Sequence, residues 1–173
     1  TLPEMAFIPR GGSFSSIVPS ARTNVFVFEV DGTLLTADRE PDLAKFTNPI
    51  EYVNGYPALN RCKPVTASFR LLNTFSGKGE VIFLTGRPEE QKEELTRWIS
   101  DFSMHPIGIV RKNLIFKSAA DRTLLEFKQR WLSELDDSVR SRFAFVIDSD
   151  PDASEMWASS GVPAFQAFPP LLT

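Results

Sequence analysis

Short apolar runs alternate along the chain with segments whose apolar residues recur at helical spacing. An apolar run of roughly four to eight residues, bounded by polar or turn residues, is typical of a buried strand. Residues 107–110 fit this description, alone or as a strand pair with residues 114–117. The complete set of predicted strands is 25–28, 80–85, 107–110, 143–147 and 163–168.

The segments between the strands predict helices. Pro64 opens the first, in which Val65, Phe69 and Leu72 share one face. Later helices are expected to begin at Pro88, to be capped by Asp121 and to run through Met156. Strands that alternate with helices imply a mainly parallel sheet with helices on both faces, which is a Rossmann-like α/β three-layer sandwich.

Length and composition indicate one globular domain. The chain has 173 residues, of which 42% are hydrophobic, and this is enough for a substantial core. Residues 1–22 are rich in proline, glycine and serine and predict an irregular arm ahead of a domain at 23–173. Residues 36–63 show no sustained period, so we expect a long loop or a small hairpin on the rim of a site.

Charge, cysteine content and hydrophobicity exclude several classes of protein or argue against them. The formal charge is only −3 and no run of Lys or Arg occurs, which argues against extended contact with nucleic acid but allows a local one. Cys62 is the only cysteine, which excludes an internal disulfide and a cysteine-built zinc site. No run reaches the roughly 20 apolar residues of a membrane span, and no signal peptide is apparent. We expect a cytoplasmic protein with no membrane partner, and the sequence identifies no partner protein.

The first predicted strand ends in two acids, Glu29 and Asp31, followed by Gly32. Side chains alternate along a strand, so both carboxylates are expected on one side above its carboxyl end, where open α/β sheets place their sites. Two carboxylates at that place suit metal-assisted phosphoryl chemistry. The alternative is an ordinary Asp-Gly turn that follows a strand.

The strand at 80–85 ends in Thr85, Gly86 and Arg87. The hydroxyl group and the backbone N–H groups at this strand-to-helix turn could bind an anion, or the turn could be purely structural. The Arg87 guanidinium could bind a phosphate, or it could pair on the surface with Glu90 or Glu94.

The strand at 143–147 is followed by three acids within five positions, Asp148, Asp150 and Asp152. Carboxylate oxygens suit Mg²⁺, so this segment is a candidate metal site. The alternative is a solvated turn in which Asp152 caps the next helix.

Lys128 is expected on the apolar face of its helix, since Leu124 and Leu125 precede it by one turn and Trp131 and Leu132 follow it by one turn. A lysine there must either extend to solvent or meet buried negative charge, which a cluster of acids and a phosphate would supply.

These motifs, in this order over residues 24–166, resemble the haloacid dehalogenase superfamily of phosphatases. The resemblance is greatest to the 3′-phosphatase domain of phage-type polynucleotide kinase/phosphatases. It is carried by the four strand-end and helix motifs, and in particular by Phe127-Lys128-Gln129-Arg130-Trp131 and by Ile147-Asp148-Ser149 leading to Glu155-Met156-Trp157.

The resemblance implies a role for each motif. Glu29 would be the nucleophile that forms an acyl-phosphate, and Asp31 the acid that protonates the leaving group and then activates water. Thr85, Gly86, Arg87 and Lys128 would bind the phosphate. Mg²⁺ would be held by Glu29, Asp31 and Asp148, with Asp150 or Asp152 in support. The chain has no room for a large cap domain, which suits an open site and a phosphorylated small molecule or nucleic-acid end.

Two positions depart from the pattern of the superfamily. Glu29 stands where the nucleophile is usually aspartate, and Ser149 stands where a second acid is common. The extra methylene of Glu29 moves the carboxylate by about 1 Å, and a displacement of that size can cost roughly 100-fold in rate. The sequence therefore predicts a Mg²⁺-dependent phosphatase of reduced activity, with a catalytically inactive binding or regulatory module as the alternative.

Overall fold

The computed structural model describes residues 23–37, 52–53 and 55–168. The predicted arm at residues 1–22 lies outside this range, as do residues 38–51 and 54 of the predicted rim segment. Among the described residues, no helix is long and apolar enough to cross a membrane.

A five-stranded parallel sheet forms the centre of the fold, which confirms the predicted Rossmann-like architecture. In chain order its strands are β1 (Asn24–Glu29), β6 (Gly79–Thr85), β7 (Leu114–Phe116), β8 (Phe143–Asp148) and β9 (Ala164–Gln166). Their spatial order is β7-β6-β1-β8-β9, and each neighbouring pair is parallel. The carboxyl ends of all five strands therefore lie along one edge, with β1 in the middle.

In the described part of the chain, six helices connect these strands or flank the sheet. They are α1 (Thr66–Thr74), α2 (Lys92–Phe102), α3 (Ile107–Asn113), α4 (Leu124–Glu134), α5 (Asp137–Arg140) and α6 (Pro151–Ser159). Single 3₁₀ turns occur at Leu59–Arg61 and Glu89–Gln91.

The period-2 alternation of the central strand divides the core into two layers. Val25 and Val27 of β1 belong to a layer that also contains Phe127 and Trp131 of α4 and Trp157 of α6. Phe26 and Phe28 belong to the opposite layer, which α1, α2 and α3 cover. Burial of both faces explains why β1 is an unbroken apolar run, as is usual for parallel sheets.

Within its described residues the rim segment forms two small antiparallel pairs, so the small hairpin that was one of the two alternatives predicted there is present. Strand β2 (Leu35–Ala37) pairs with β5 (Cys62–Pro64), and β3 (Tyr52–Val53) pairs with β4 (Tyr56–Pro57). Pro64 therefore ends a strand, and α1 begins two residues later at Thr66.

Two local predictions were wrong. The strand predicted at residues 107–110 is part of helix α3, and only Leu114–Phe116 is a strand. The helix cap predicted at Asp121 is at Thr123, whose side-chain oxygen accepts from the Glu126 N–H at 3.0 Å. Asp121 instead accepts two hydrogen bonds of 2.8 Å from the Arg130 guanidinium.

Candidate active site at the strand ends

Three of the predicted site residues are the last residues of three adjacent strands. Thr85 ends β6, Glu29 ends β1 and Asp148 ends β8. All three side chains are buried. Together with Asp31 and Lys128 they are called the strand-end site below.

Lys128 lies between the two buried acids. Its Nζ is 3.1 Å from Glu29 Oε1 and 2.7 Å from Asp148 Oδ2, and its side chain is fully buried. Helix α4 packs its apolar face on the sheet through Phe127 and Trp131, which carries the lysine inward. The prediction that Lys128 meets buried negative charge is therefore correct.

Ser149 provides most of the remaining hydrogen bonds to Glu29. Glu29 Oε2 accepts from the Ser149 N–H at 2.8 Å and from the Ser149 hydroxyl at 2.9 Å, and Thr33 Oγ1 is 3.4 Å away. The close approach depends on Gly32, which has a φ of +85°, because a Cβ atom there would collide with Ser149 Oγ. Ser149 therefore binds the candidate nucleophile through both its N–H and its hydroxyl group.

The pKa values of the two acids that flank Lys128 shift in opposite directions. Burial, together with the neighbouring Asp148, raises the pKa of Glu29 to about 8, despite the nearby Lys128. The pKa of Asp148 is lowered because hydrogen bonds and the Lys128 charge outweigh the effect of its burial. Glu29 is thus the acid that holds a proton more readily.

Asp31 is held by Arg87 rather than by Lys128. Arg87 Nη2 is 2.7 Å from Asp31 Oδ1, and Nε is 3.0 Å from the same oxygen. Burial raises the pKa of Asp31, and the Arg87 charge opposes that shift. A carboxyl group with a raised pKa can carry the proton that a general acid must donate.

Of the two alternatives for Arg87, the surface pairing with Glu90 or Glu94 does not occur. Arg87 is fully buried, and its Nη1 donates to the Pro57 carbonyl at 2.8 Å and to Gln91 Oε1 at 3.0 Å. Its backbone N–H donates to Thr85 Oγ1 at 3.0 Å. These contacts fix the turn of Thr85, Gly86 and Arg87 against the strand pair β3–β4.

The three acids at the end of β8 and just after it have different surroundings. Asp148 Oδ2 accepts from Trp157 Nε1 at 3.1 Å, and its Oδ1 accepts from the Asp150 N–H at 3.0 Å. Asp150 caps helix α6 by accepting from the Asp152 N–H at 3.0 Å, so the cap lies two residues before the predicted one. Asp152 is exposed in the first turn of α6.

The oxygen atoms near Ser149 fit a small divalent cation in their chemistry. Ser149 Oγ is 2.9 Å from Glu29 Oε2 and 3.4 Å from the carbonyl oxygen of Asp31. Adjacent ligands of octahedral Mg²⁺ are about 2.9 Å apart when the metal–oxygen bonds are roughly 2.0–2.1 Å. In the described part of the chain, no group of three or more acid, histidine or cysteine side chains could hold a metal ion. A Mg²⁺ ion would therefore need the hydroxyl and the main-chain carbonyl as well as Glu29.

Sequence reasoning missed three residues that shape the site. Thr33 and Gln91 contact Glu29 and Arg87, and Tyr56 stacks on the Arg87 guanidinium at 5.3 Å from the ring centroid. Gln91 has a usable signal, since it lies four residues after Arg87 at helical spacing. Thr33 also has a signal, because it ends the turn that begins with the two acids and lies four residues after Glu29. Tyr56 lies in a segment with no sustained period, and nothing in the sequence singles it out.

No protein-family model and no curated protein matches the sequence. Among solved structures, a chain of the Pnkp1/Rnl/Hen1 RNA repair complex superposes with a TM-score of 0.61 at 15% identity, covering 96% of this chain and 47% of that one. A chain from another structure of the Pnkp1/Rnl/Hen1 complex gives 0.59 at 16% identity, covering 96% and 50%. The chain spans about half the length of these neighbours, and at such identities the likeness shows the fold.

Proposed function

We propose that the chain is a phosphatase that removes the phosphate from a nucleotide or a polynucleotide end. The observation that carries the proposal is the fully buried Lys128, placed between Glu29 and Asp148 where parallel strands end. Burial of an ammonium group between two acids carries a large desolvation penalty and adds little net stability. A functional role explains why such an arrangement is kept, and compensation of the charge on a phosphoryl group is such a role.

The reaction would proceed in two displacement steps. Glu29 must first lose its proton, since burial raises its pKa to about 8. Its carboxylate oxygen then attacks phosphorus, the ester P–O bond breaks, and Asp31 protonates the leaving oxygen. Water then attacks the phosphorus of the acyl-phosphate while Asp31 takes its proton, which releases inorganic phosphate and regenerates Glu29. Lys128 and the Thr85 hydroxyl would orient the phosphoryl oxygens. Mg²⁺, when bound at Glu29, Ser149 and the Asp31 carbonyl, would neutralise phosphoryl charge.

The nucleic-acid part of the proposal has separate support. The sequence motifs resemble those of polynucleotide 3′-phosphatase domains, and chains of the RNA repair complex share the fold. The described residues include no large cap domain, which also suits the end of a polymer.

The test is a phosphate-release assay with Mg²⁺ on 3′-phosphorylated oligonucleotides, mononucleotides and an aryl phosphate. Glu29→Asp should raise turnover by roughly one to two orders of magnitude, because the shorter side chain restores the distance to phosphorus without a change of charge. Lys128→Met in the Glu29→Asp background should abolish this gain. Lys78→Met is the matched control, since Lys78 is exposed just before β6, at the opposite edge of the sheet.

A non-catalytic binding module is the second candidate, and two contacts favour it. Glu29 Oε2 already accepts two hydrogen bonds from Ser149, and Asp31 is clamped by Arg87. If Glu29→Asp combined with Ser149→Asp releases no phosphate from any substrate, the phosphatase proposal is wrong. Retained binding of the phosphorylated oligonucleotide would then support the module. A fall in activity with Glu29→Asp would instead identify Glu29 as a nucleophile with a compensating backbone position.

A further inference from the structure

A cavity of about 760 Å³ adjoins the strand-end site. Gly86 and Arg87, which follow Thr85 at the end of β6, form part of its wall, and Phe116 and Lys117 at the end of β7 form another part. Ligand pockets commonly measure roughly 300–1,000 Å³, so a group the size of a nucleoside fits. The cavity therefore continues the candidate phosphate site towards the β7 side of the sheet.

Aromatic surface lines this cavity from two elements. Tyr56 of β4 and Phe116 of β7 are both half-buried and both belong to the wall. Tyr56 is held in place because its ring lies on the Arg87 guanidinium and its hydroxyl lies against Gly86, where a Cβ atom would collide with it. An aromatic ring fixed in this way can stack on a planar group without further ordering of the side chain.

The charges around the cavity favour a base over a second phosphate. Glu89 and Glu90 are exposed at its rim. Lys117 Nζ already donates to the carbonyl oxygens of Ser118 at 3.2 Å and Asp121 at 2.7 Å. Acids repel a further phosphate, whereas their oxygens can accept hydrogen bonds from the exocyclic amino group of a nucleobase.

We infer that this cavity binds the nucleobase of the nucleotide whose phosphate occupies the strand-end site, by stacking on Tyr56 and Phe116. The inference rests on the proposed function and specifies its substrate class. The preferred phosphate esters are those whose sugar carries a base. Every base can stack through its aromatic face, and the acids at the rim add a preference for bases that carry an exocyclic amino group.

Fluorescence anisotropy can test this with labelled 3′-phosphorylated oligonucleotides whose last nucleotide either carries a base or is abasic. Phe116→Leu and Tyr56→Leu keep apolar volume and remove the aromatic face. Each should weaken binding of the base-containing end by roughly 5- to 100-fold. Phe116→Leu should leave binding of the abasic end unchanged, whereas Tyr56→Leu, which also removes the ring that lies on Arg87, should weaken binding of the abasic end less than binding of the base-containing end. Tyr56→Phe should retain wild-type affinity, because it keeps the ring.

Phe165→Leu is the matched control, because Phe165 is a largely exposed aromatic residue of β9 that does not line the cavity. Equal losses on both ends, or no loss on either, would overturn the inference. A nucleoside 3′-monophosphate can be added as a competitor of the labelled oligonucleotide. Displacement at a similar concentration would show that a free nucleotide is sufficient for binding, and much weaker displacement would show that the polymer end is required. Base-dependent binding, together with no phosphate release by the variant that combines Glu29→Asp with Ser149→Asp, would refute the phosphatase and keep the base site. Phosphate release without base dependence would do the reverse.

Discussion

Lys128 is the residue on which the strand-end site most depends. It compensates Glu29 and Asp148 at once, from a position with no access to solvent. A buried ion pair adds little net stability, but removal of one partner leaves uncompensated charge in the interior.

We therefore expect Lys128→Met to lower the free energy of unfolding by about 3–5 kcal/mol near neutral pH. The loss should shrink in acid, where protonation of Asp148 removes the unpaired charge, since the raised pKa of Glu29 already favours its protonated form near neutral pH. Urea unfolding at both pH values measures the change, and the exposed Lys78→Met serves as control. A loss that does not depend on pH would indicate a packing defect instead.

The raised pKa of Glu29 predicts a pH dependence of stability. Its pKa is about 8 in the folded protein against 4.5 ordinarily, so unfolding releases a proton between these two values. The unfolded state then binds fewer protons, and the contribution of Glu29 to stability falls as the pH rises through this window. Glu29→Gln should flatten this decline in urea unfolding, whereas Glu94→Gln on the exposed face of α2 should not. An unchanged slope in Glu29→Gln would contradict the shift.

At the scale of single elements, Asp150 at the start of helix α6 has two candidate roles, as a metal ligand and as a helix cap. The sequence marks it as a metal ligand, and the structure places it at the helix cap. If capping is its main role, Asp150→Ala should cost about 1 kcal/mol of stability and Asp150→Asn almost nothing, since asparagine also caps well. Mg²⁺ affinity, measured by calorimetry, should be the same in both variants. Weaker Mg²⁺ binding by Asp150→Asn would restore the metal role.

Helix α3 shows why short apolar segments are hard to assign. Ile107, Ile109 and Val110 have the β-branched side chains of a strand. The chain nevertheless turns helical after Pro106, and only Val110 of these three is buried, while Ile107 and Ile109 are partly exposed. Four residues cannot reveal which period they follow, whereas longer segments such as α4 and β6 could be predicted correctly.

At the scale of the whole molecule, a bound cation should change thermal stability. A ligand that binds only the folded state raises the Tm. At a saturating ligand concentration, tenfold tighter binding adds about 1.4 kcal/mol to the free energy of unfolding, which raises the Tm by a few degrees. Ser149→Asp should lower the Tm without metal, because it places like charges together, and should gain more from millimolar Mg²⁺ than wild type does. Ser149→Asn is the uncharged control. Equal Mg²⁺ shifts in all three proteins would argue against a site at Ser149.

The sequence predicts where the site lies in the fold better than it predicts which side chains contact each other there. Parallel strands end at one edge, so Glu29, Thr85 and Asp148 could be placed together from strand order alone. Helical spacing likewise places Lys128 on a buried face. The pairing of Arg87 with Asp31 spans 56 positions, and the contact of Ser149 with Glu29 spans 120. No local pattern reports such distant partners, so these contacts required the structure.

The same long separations have a consequence for the order in which the protein folds. Glu29 meets Lys128 across 99 positions and Ser149 across 120. Contacts that close such long loops form late, and a chain made on the ribosome emerges from its amino end. While it is synthesised, Glu29 is an acid at the end of an apolar strand and lacks the cation that offsets its burial. We expect the carboxyl end of β1 to stay hydrated until α4 and β8 have emerged. A nascent chain truncated before Ser149 would therefore bind no phosphate.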